Sequence, residues 1–157
     1  MKTLFIALTL SATALMATPK AALAQSSEDT AIKAVIDDET KASHAADYKT
    51  YLTYWAKVPY ASFLYEGKQY VGDVLWKAMD GVFANRKPTQ TNTTRTGWNI
   101  RAVGSTAFVT FEQRDENLDT KAVRETAETR YLEKIDRSDG SGAWKIVNVT
   151  VVLKPAK

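Results

Sequence analysis

The chain contains one histidine, His44, and no cysteine in 157 residues. A His-rich or thiolate metal site is therefore out of reach, and carboxylates alone would have to hold an ion. No Ser/His/Asp set, phosphate loop or dinucleotide fingerprint is present. No metal or cofactor is expected. The residues left to do chemistry are carboxylates, amides and one guanidinium at telling positions. Glu39 falls within the helical stripe of Ile32, Ile36 and Ser43, so it faces either a pocket or a wet stripe edge. Gln113 continues the alternating row Ala107, Val109, Phe111, which puts an amide at the end of an inward-facing series. Glu128 and Arg130 share a face with Leu132, and by the same parity Asn148 shares one with Trp144 and Ile146. If those faces look inward, an acid, a guanidinium and two amides converge in an apolar hollow and form a ligand site. If they look outward, Glu128 and Arg130 make a solvated ion pair worth under about 1 kcal/mol. Tyr51, Trp55, Tyr60, Trp76 and Trp98 could line such a hollow or simply fill the core. Trp144 is expected to pack near the closing turn, and His44, off the apolar stripe, to lie on the surface.

The elements that must position these side chains follow from periodicity. Apolar residues at three- and four-residue steps from Ile32 to Ala46 predict one amphipathic helix, with Glu28 and Asp29 placed where the helix dipole favours acids. Asp47 can cap a second, shorter helix carrying Tyr48, Tyr51, Leu52 and Trp55 on one face before Pro59. Ala61 to Tyr65 and Gln69 to Val71 read as short strands around Glu66, Gly67 and Lys68. Asp73 can cap a third helix with the stripe Leu75, Trp76, Met79, Val82 and Phe83. The stretch NRKPTQTNTTR is a polar loop. From Thr93 onward the period is two. One hairpin turns at Gly104 and Ser105, Asp115 to Thr120 makes a loop, and a closing hairpin begins near Val123 and turns at Ser138 to Gly142. Helices first and hairpin-joined strands last predict an α+β domain, a curved antiparallel sheet with three N-terminal helices packed in its concave face. Such a cone leaves a pocket at its wide end.

The N-terminal residues carry an address. A basic start at Lys2, an uncharged run from Leu4 to Ala17 and the small-residue site Ala22, Leu23, Ala24 read as a Sec-type signal peptide cleaved before Gln25. The run is too interrupted for a membrane anchor, so no membrane span is expected in the mature chain. The expected domains are residues 1–24, the signal peptide, and residues 25–157, a single globular unit that is periplasmic or secreted in a bacterium. Loss of Lys2 and Lys20 lowers the formal net charge from +3 to +1. The remaining basic residues are scattered among acids without a stripe, which argues against nucleic acid as a partner.

The segments GDVLW at the third helix, TRTGWNIRAVGSTAFVTFEQR and ETRYLEKIDRSDGSGAWKIVNVTVV, in this order of elements, resemble the nuclear transport factor 2-like superfamily and within it the SnoaL-like bacterial proteins. The resemblance spans roughly residues 28 to 153 and implies the cone and its pocket. It does not imply a reaction, because this fold hosts isomerases, cyclases, dehydratases, binding modules and oligomerisation domains. A ketosteroid-isomerase type of reaction, as the resemblance would imply it, needs an inward carboxylate base beside an apolar substrate and donors for an enolate oxygen. No Asp reads as clearly inward, and the final strand has Asn148 and Thr150 where many SnoaL-like relatives carry His. The sequence thus favours an exported domain that binds a small, partly apolar molecule in its cone. The alternative is a SnoaL-type enzyme acting on a cyclic substrate with Glu39 or Glu128 as general base. A third reading is a homodimerisation or partner-binding module. The resemblance implies a homodimer, paired through a sheet face bearing Arg101, Phe108 and Thr110.

Overall fold

The computed structural model describes residues 19–135 and 142–155. In chain order the elements are α1 (Pro19–His44), α2 (Tyr48–Thr53), β1 (Ser62–Tyr65), β2 (Lys68–Val71), α3 (Asp73–Ala84), β3 (Thr91–Val103), β4 (Thr106–Asn117), β5 (Val123–Ile135) and β6 (Ala143–Leu153). The six strands form one sheet in the order β2-β1-β6-β5-β4-β3. This is the α+β cone that the sequence predicts, with one correction. The pairing of β1 with β6 is parallel, so the sheet is mixed rather than purely antiparallel. The reason is topological: the chain passes through β2, α3 and three long strands before β6 returns beside β1, so no hairpin sets their relative direction.

Two bulges bend the long strands. Between Thr96 and Asn99, β3 spends two residues where β4 spends one, and Gly97 takes φ 64° there, a conformation that glycine adopts without strain. In β6, Leu132 pairs with Ile146 while Tyr131 pairs with Asn148, leaving Val147 as the extra residue. This second bulge resets the parity of β6. Trp144 and Ile146 point to the concave face before it, and Val149 and Val151 do so after it.

The concave face is the core. Inward residues of the four long strands, among them Val109, Phe111, Leu132, Ile146 and Val149, meet Ile32 and Ile36 of α1 and Leu75 of α3. Burying each such side chain stabilises the fold by about 1.5–3 kcal/mol. The 3.6-residue period of α1 and the two-residue period of β4 are thus answered by the same apolar layer. The convex face carries Arg101, Phe108 and Thr110, and Phe108 is 50% exposed there.

Helix ends differ from the sequence reading in informative ways. Asp47 caps α2 as predicted, its carboxylate accepting the Thr50 N–H. The N-cap of α3 is Gly72 instead of Asp73, which lies one residue inside the helix; the chain comes so close to the Pro59 carbonyl that a Cβ at Gly72 would sit 2.7 Å from it. Helix α1 starts at Pro19, so Glu28 and Asp29 lie inside it and not at its first turn. Glu28 instead accepts hydrogen bonds from Lys134 Nζ and Trp144 Nε1, both at 2.6 Å, and closes the narrow end of the cone. The apolar run of the predicted leader, residues 4–17, and all but Gly142 of the predicted closing turn lie outside the described residues. Among the described residues no helix is long and apolar enough to cross a membrane.

Candidate functional site

The stretches read as loops supply part of the site. Strand β3 begins at Thr91, inside the predicted polar loop, and β4 runs on to Asn117, through the predicted loop at Asp115. The inward row of β4 therefore does not end at Gln113. It continues to Asp115, which pairs across to Arg124 of β5, just as Gln113 pairs to Thr126 and Phe111 to Glu128. At this wide end, the strand row, the last turns of α1, Tyr51 of α2 and the inner face of α3 enclose a cavity of about 450 Å³. The volume lies within the range of small-molecule sites, about 300–1,000 Å³.

Arg130 forms the floor. It is 5% exposed, and its Nε and Nη2 both donate to Glu128 Oε2, at 3.1 and 2.6 Å. Nη1 lies 3.6 Å from Glu39 Oε1. Thr126 donates to the other Glu128 oxygen at 3.0 Å, and Trp55 Nε1 donates to Glu39 at 3.3 Å. The reading of Glu128 and Arg130 as a solvated surface pair is thereby overturned. Burial opposes the Arg130 charge most strongly, but Glu128 and Glu39 together outweigh it and hold the guanidinium protonated. Both acids are held in this network as partners of Arg130. Tyr51 is raised well above the ordinary phenol range, by burial first and by neighbouring Glu39 second, so it meets the cavity as a neutral hydroxyl.

A second cluster lies beside the first. Asp115 accepts from Thr93 Oγ1 at 2.7 Å, from Gln113 Nε2 at 2.8 Å and from Arg124 Nη2 at 3.4 Å. Burial works against its charge, yet the contacts to His44, Thr93 and Gln113, with the Arg124 charge, hold the carboxyl below its usual range. His44 corrects the expectation of a surface residue: its side chain is largely buried and lines the cavity, with Nε2 3.2 Å from Thr93 Oγ1 and 3.8 Å from Asp115. Because the Thr93 hydroxyl proton is given to Asp115, the His44 contact is a donation from Nε2–H to Thr93. In a neutral imidazole this would leave Nδ1 as the acceptor nitrogen.

The other sequence candidates divide. Tyr51, Gln113, Glu128, Arg130 and Glu39 line the cavity. Trp55 is buried core behind the cavity wall, where it bonds Glu39 and packs against Tyr51 and Phe63. Trp76 packs edge-on against Trp55, and Trp98 packs on Phe111 with ring centres 4.6 Å apart; neither lines the cavity. Tyr60 is 55% exposed and donates to Glu133, away from the cone. Asn148 does not share a face with Ile146, because the Val147 bulge turns it to the other side, where it donates to Ser62 Oγ at 2.7 Å. Trp144, as expected, stays away from the cavity and bonds Glu28. Sequence reasoning missed His44, Arg86, Asp115 and Arg124. Two of these were accessible to it: Asp115 keeps the parity of Gln113, and Arg124 keeps that of Glu128 and Arg130. Among the described residues no cluster of three or more His, Asp or Glu side chains could hold a metal.

A profile of the SnoaL-like domain matches residues 32–150. The chain belongs to the SnoaL-like domain family. The matched span of this SnoaL-like chain runs from Ile32, the first core residue of α1, to Thr150 of β6, and includes every cavity-lining residue named for the site except Val151. Solved structures agree on the fold. The CaMKII hub of S. rosetta is similar at 23% identity and TM-score 0.62, over 80% of this chain and 95% of that one. An NTF-2 like protein of unknown function from Shewanella oneidensis MR-1 is 15% identical with TM-score 0.62, over 79% and 98%. A ketosteroid isomerase-like protein from Erwinia carotovora atroseptica is 18% identical with TM-score 0.59, over 81% and 96%. The SnoaL-like chain matches none of the curated proteins by sequence.

Proposed function

We propose that this SnoaL-like domain binds a small, partly apolar molecule in its cone. The observation that carries the reading is the cavity itself. Phe63, Leu75, Met79 and Phe83 give it apolar walls, and Tyr51, Gln113 and Arg130 give it a few fixed polar groups. Gln113 Oε1 and Arg130 Nη1 are buried on that wall without hydrogen-bond partners among the described residues. Leaving such atoms unpaired costs about 1–3 kcal/mol each, a cost that a bound polar group or water removes. The test is calorimetric titration with 2-naphthol, an apolar ring with one hydroxyl. Wild type should bind it, and Ala78→Trp, which fills the cavity from the α3 side, should fold but lose binding by about tenfold or more. Equal binding by both proteins would remove the reading.

A second reading, an acid–base enzyme of the SnoaL type, has one observation in its favour, the His44–Thr93–Asp115 relay on the cavity wall. In that case the proton-transfer group would be His44 and neither Glu39 nor Glu128, and a substrate recovered unchanged from the protein would speak against it. Export and pairing complete the proposal. Cleavage before Gln25 would return Glu28 to the first turn of the shortened α1, and N-terminal sequencing of exported protein checks it. Two copies would pair over the convex face at Phe108 and Val152, both at least half exposed, which sedimentation at micromolar concentration tests.

A further inference from the structure

The hydrogen-bonding capacity of the cavity wall is lopsided. Its three carboxylates are already engaged: Glu128 by Thr126 and Arg130, Glu39 by Trp55 and Thr40, and Asp115 by Thr93, Gln113 and Arg124. Its guanidiniums are engaged only in part. Each carries five N–H donors. Arg124 places one at 3.4 Å from Asp115, and Arg130, with two bonds to Glu128, keeps Nη1 without a hydrogen bond among the described residues. Arg86, in the segment that follows α3, lines the same cavity with its guanidinium 5.3 Å from the Phe83 ring centre and no carboxylate within ion-pair distance among the described residues. It is half-buried, so it has given up part of its hydration without a counter-ion in return. Gln113 Oε1 is the one buried acceptor on this wall left without a donor among the described residues. A cavity rich in unused donors and poor in unused acceptors selects a ligand rich in acceptors.

Resting on the small-molecule reading above, we infer that the ligand is an organic anion, an apolar body bearing a carboxylate, and that Arg86 with Arg124 holds the carboxylate. Guanidinium and carboxylate match in geometry and can share two parallel hydrogen bonds, which a single hydroxyl cannot reproduce. Phe83, stacked against Tyr48 with ring centres 4.7 Å apart, braces the Arg86 guanidinium from beneath. The apolar body then lies along Phe63, Leu75 and Met79 toward the floor. Burial lowers the Arg86 pKa and the Arg124 charge opposes Arg86 as well, while Tyr51 and Glu39 offset only part of this, which is the electrostatic condition that an arriving anion relieves.

The experiment compares 2-naphthoate with 2-naphthamide, which has the same shape without the charge, by calorimetry on the full chain and on Arg86→Ala and Arg124→Ala. Wild type should prefer the acid by about tenfold or more, the scale of a hydrogen bond to a charged group. Arg86→Ala should lose that preference while binding the amide as wild type does. Arg101→Ala, on the convex face, should change nothing. Equal affinity of wild type for acid and amide would overturn the anion site and leave the binding reading in place. A preference for acid that survives both Arg86→Ala and Arg124→Ala would place the anion elsewhere and overturn the assignment. Binding of neither probe would remove the small-molecule reading and this inference with it.

Discussion

Arg130→Ala should lower the unfolding free energy by about 3–5 kcal/mol. The substitution leaves Glu39 and Glu128, respectively 4% and 3% exposed, as two buried acids with no cation between them. Their remaining partners, Trp55, Thr40 and Thr126, are neutral donors and cannot offset two like charges. The loss is therefore larger than the value of any one contact, because it is the cost of stranded charge. Adding Glu39→Gln and Glu128→Gln to Arg130→Ala should recover a good part of it, since the amides need no counter-ion. Urea denaturation of the wild type and the two variants measures this. A single-variant loss within about 0.5 kcal/mol would mean that the triad is hydrated and that the floor of the cavity is wrongly drawn.

Deleting Lys145 should be far more damaging than deleting Val147. Val147 is 2% exposed and is the residue by which β6 outnumbers β5 opposite Tyr131 and Leu132. Without Val147, Asn148 alone separates Ile146 from Val149, so regular alternation keeps Trp144, Ile146, Val149 and Val151 on the concave face. Only the buried contacts of Val147 itself and the local bend are lost. Without Lys145, either the bulge persists and Trp144 turns to the convex side, or the bulge closes and Ile146 does. Exposing one such side chain costs about 1.5–3 kcal/mol, against a total stability of about 5–15 kcal/mol for a typical domain. Trp144 would also lose its bond to Glu28, or Ile146 its bonds to the Tyr54 and Ala56 backbone. Val147→Ala keeps the extra residue and should cost only the roughly 0.5–3 kcal/mol of an ordinary substitution. Near-UV circular dichroism through a urea series distinguishes them. Equal midpoints for the two deletion variants would contradict the register.

The same bulge explains how far the sequence could be read. Period-two reasoning succeeded on β4, where Ala107, Val109, Phe111 and Gln113 do share the concave face. It failed at Asn148 because Val147 is an ordinary strand residue with nothing to announce an insertion. The β3 bulge, by contrast, carries a visible glycine at Gly97. Asp115 was read as the start of a loop because a run of acids and amides lacks apolar alternation. Its burial depends on donors from Thr93 and Gln113, which local pattern does not reveal. His44 lies off the apolar stripe of α1, but it sits in the last turn, where the start of β3 meets the helix and covers it. Tyr51 lines the cavity while Trp55, Trp76 and Trp98 do not, for a plainer reason: a tryptophan fills a core as readily as it lines a pocket, and only packing separates the two.

The claim that a small molecule occupies the cone is tested most directly by mapping where small molecules touch the protein. A two-dimensional proton–nitrogen spectrum, recorded with 2-naphthol and 2-naphthoate in turn, should show shifts confined to the last turns of α1, the inner face of α3, the Gln113–Asp115 end of β4 and the Arg130 side-chain nitrogens. Shifts centred on Phe108 and Tyr131 of the convex face, or none at either probe, would contradict it.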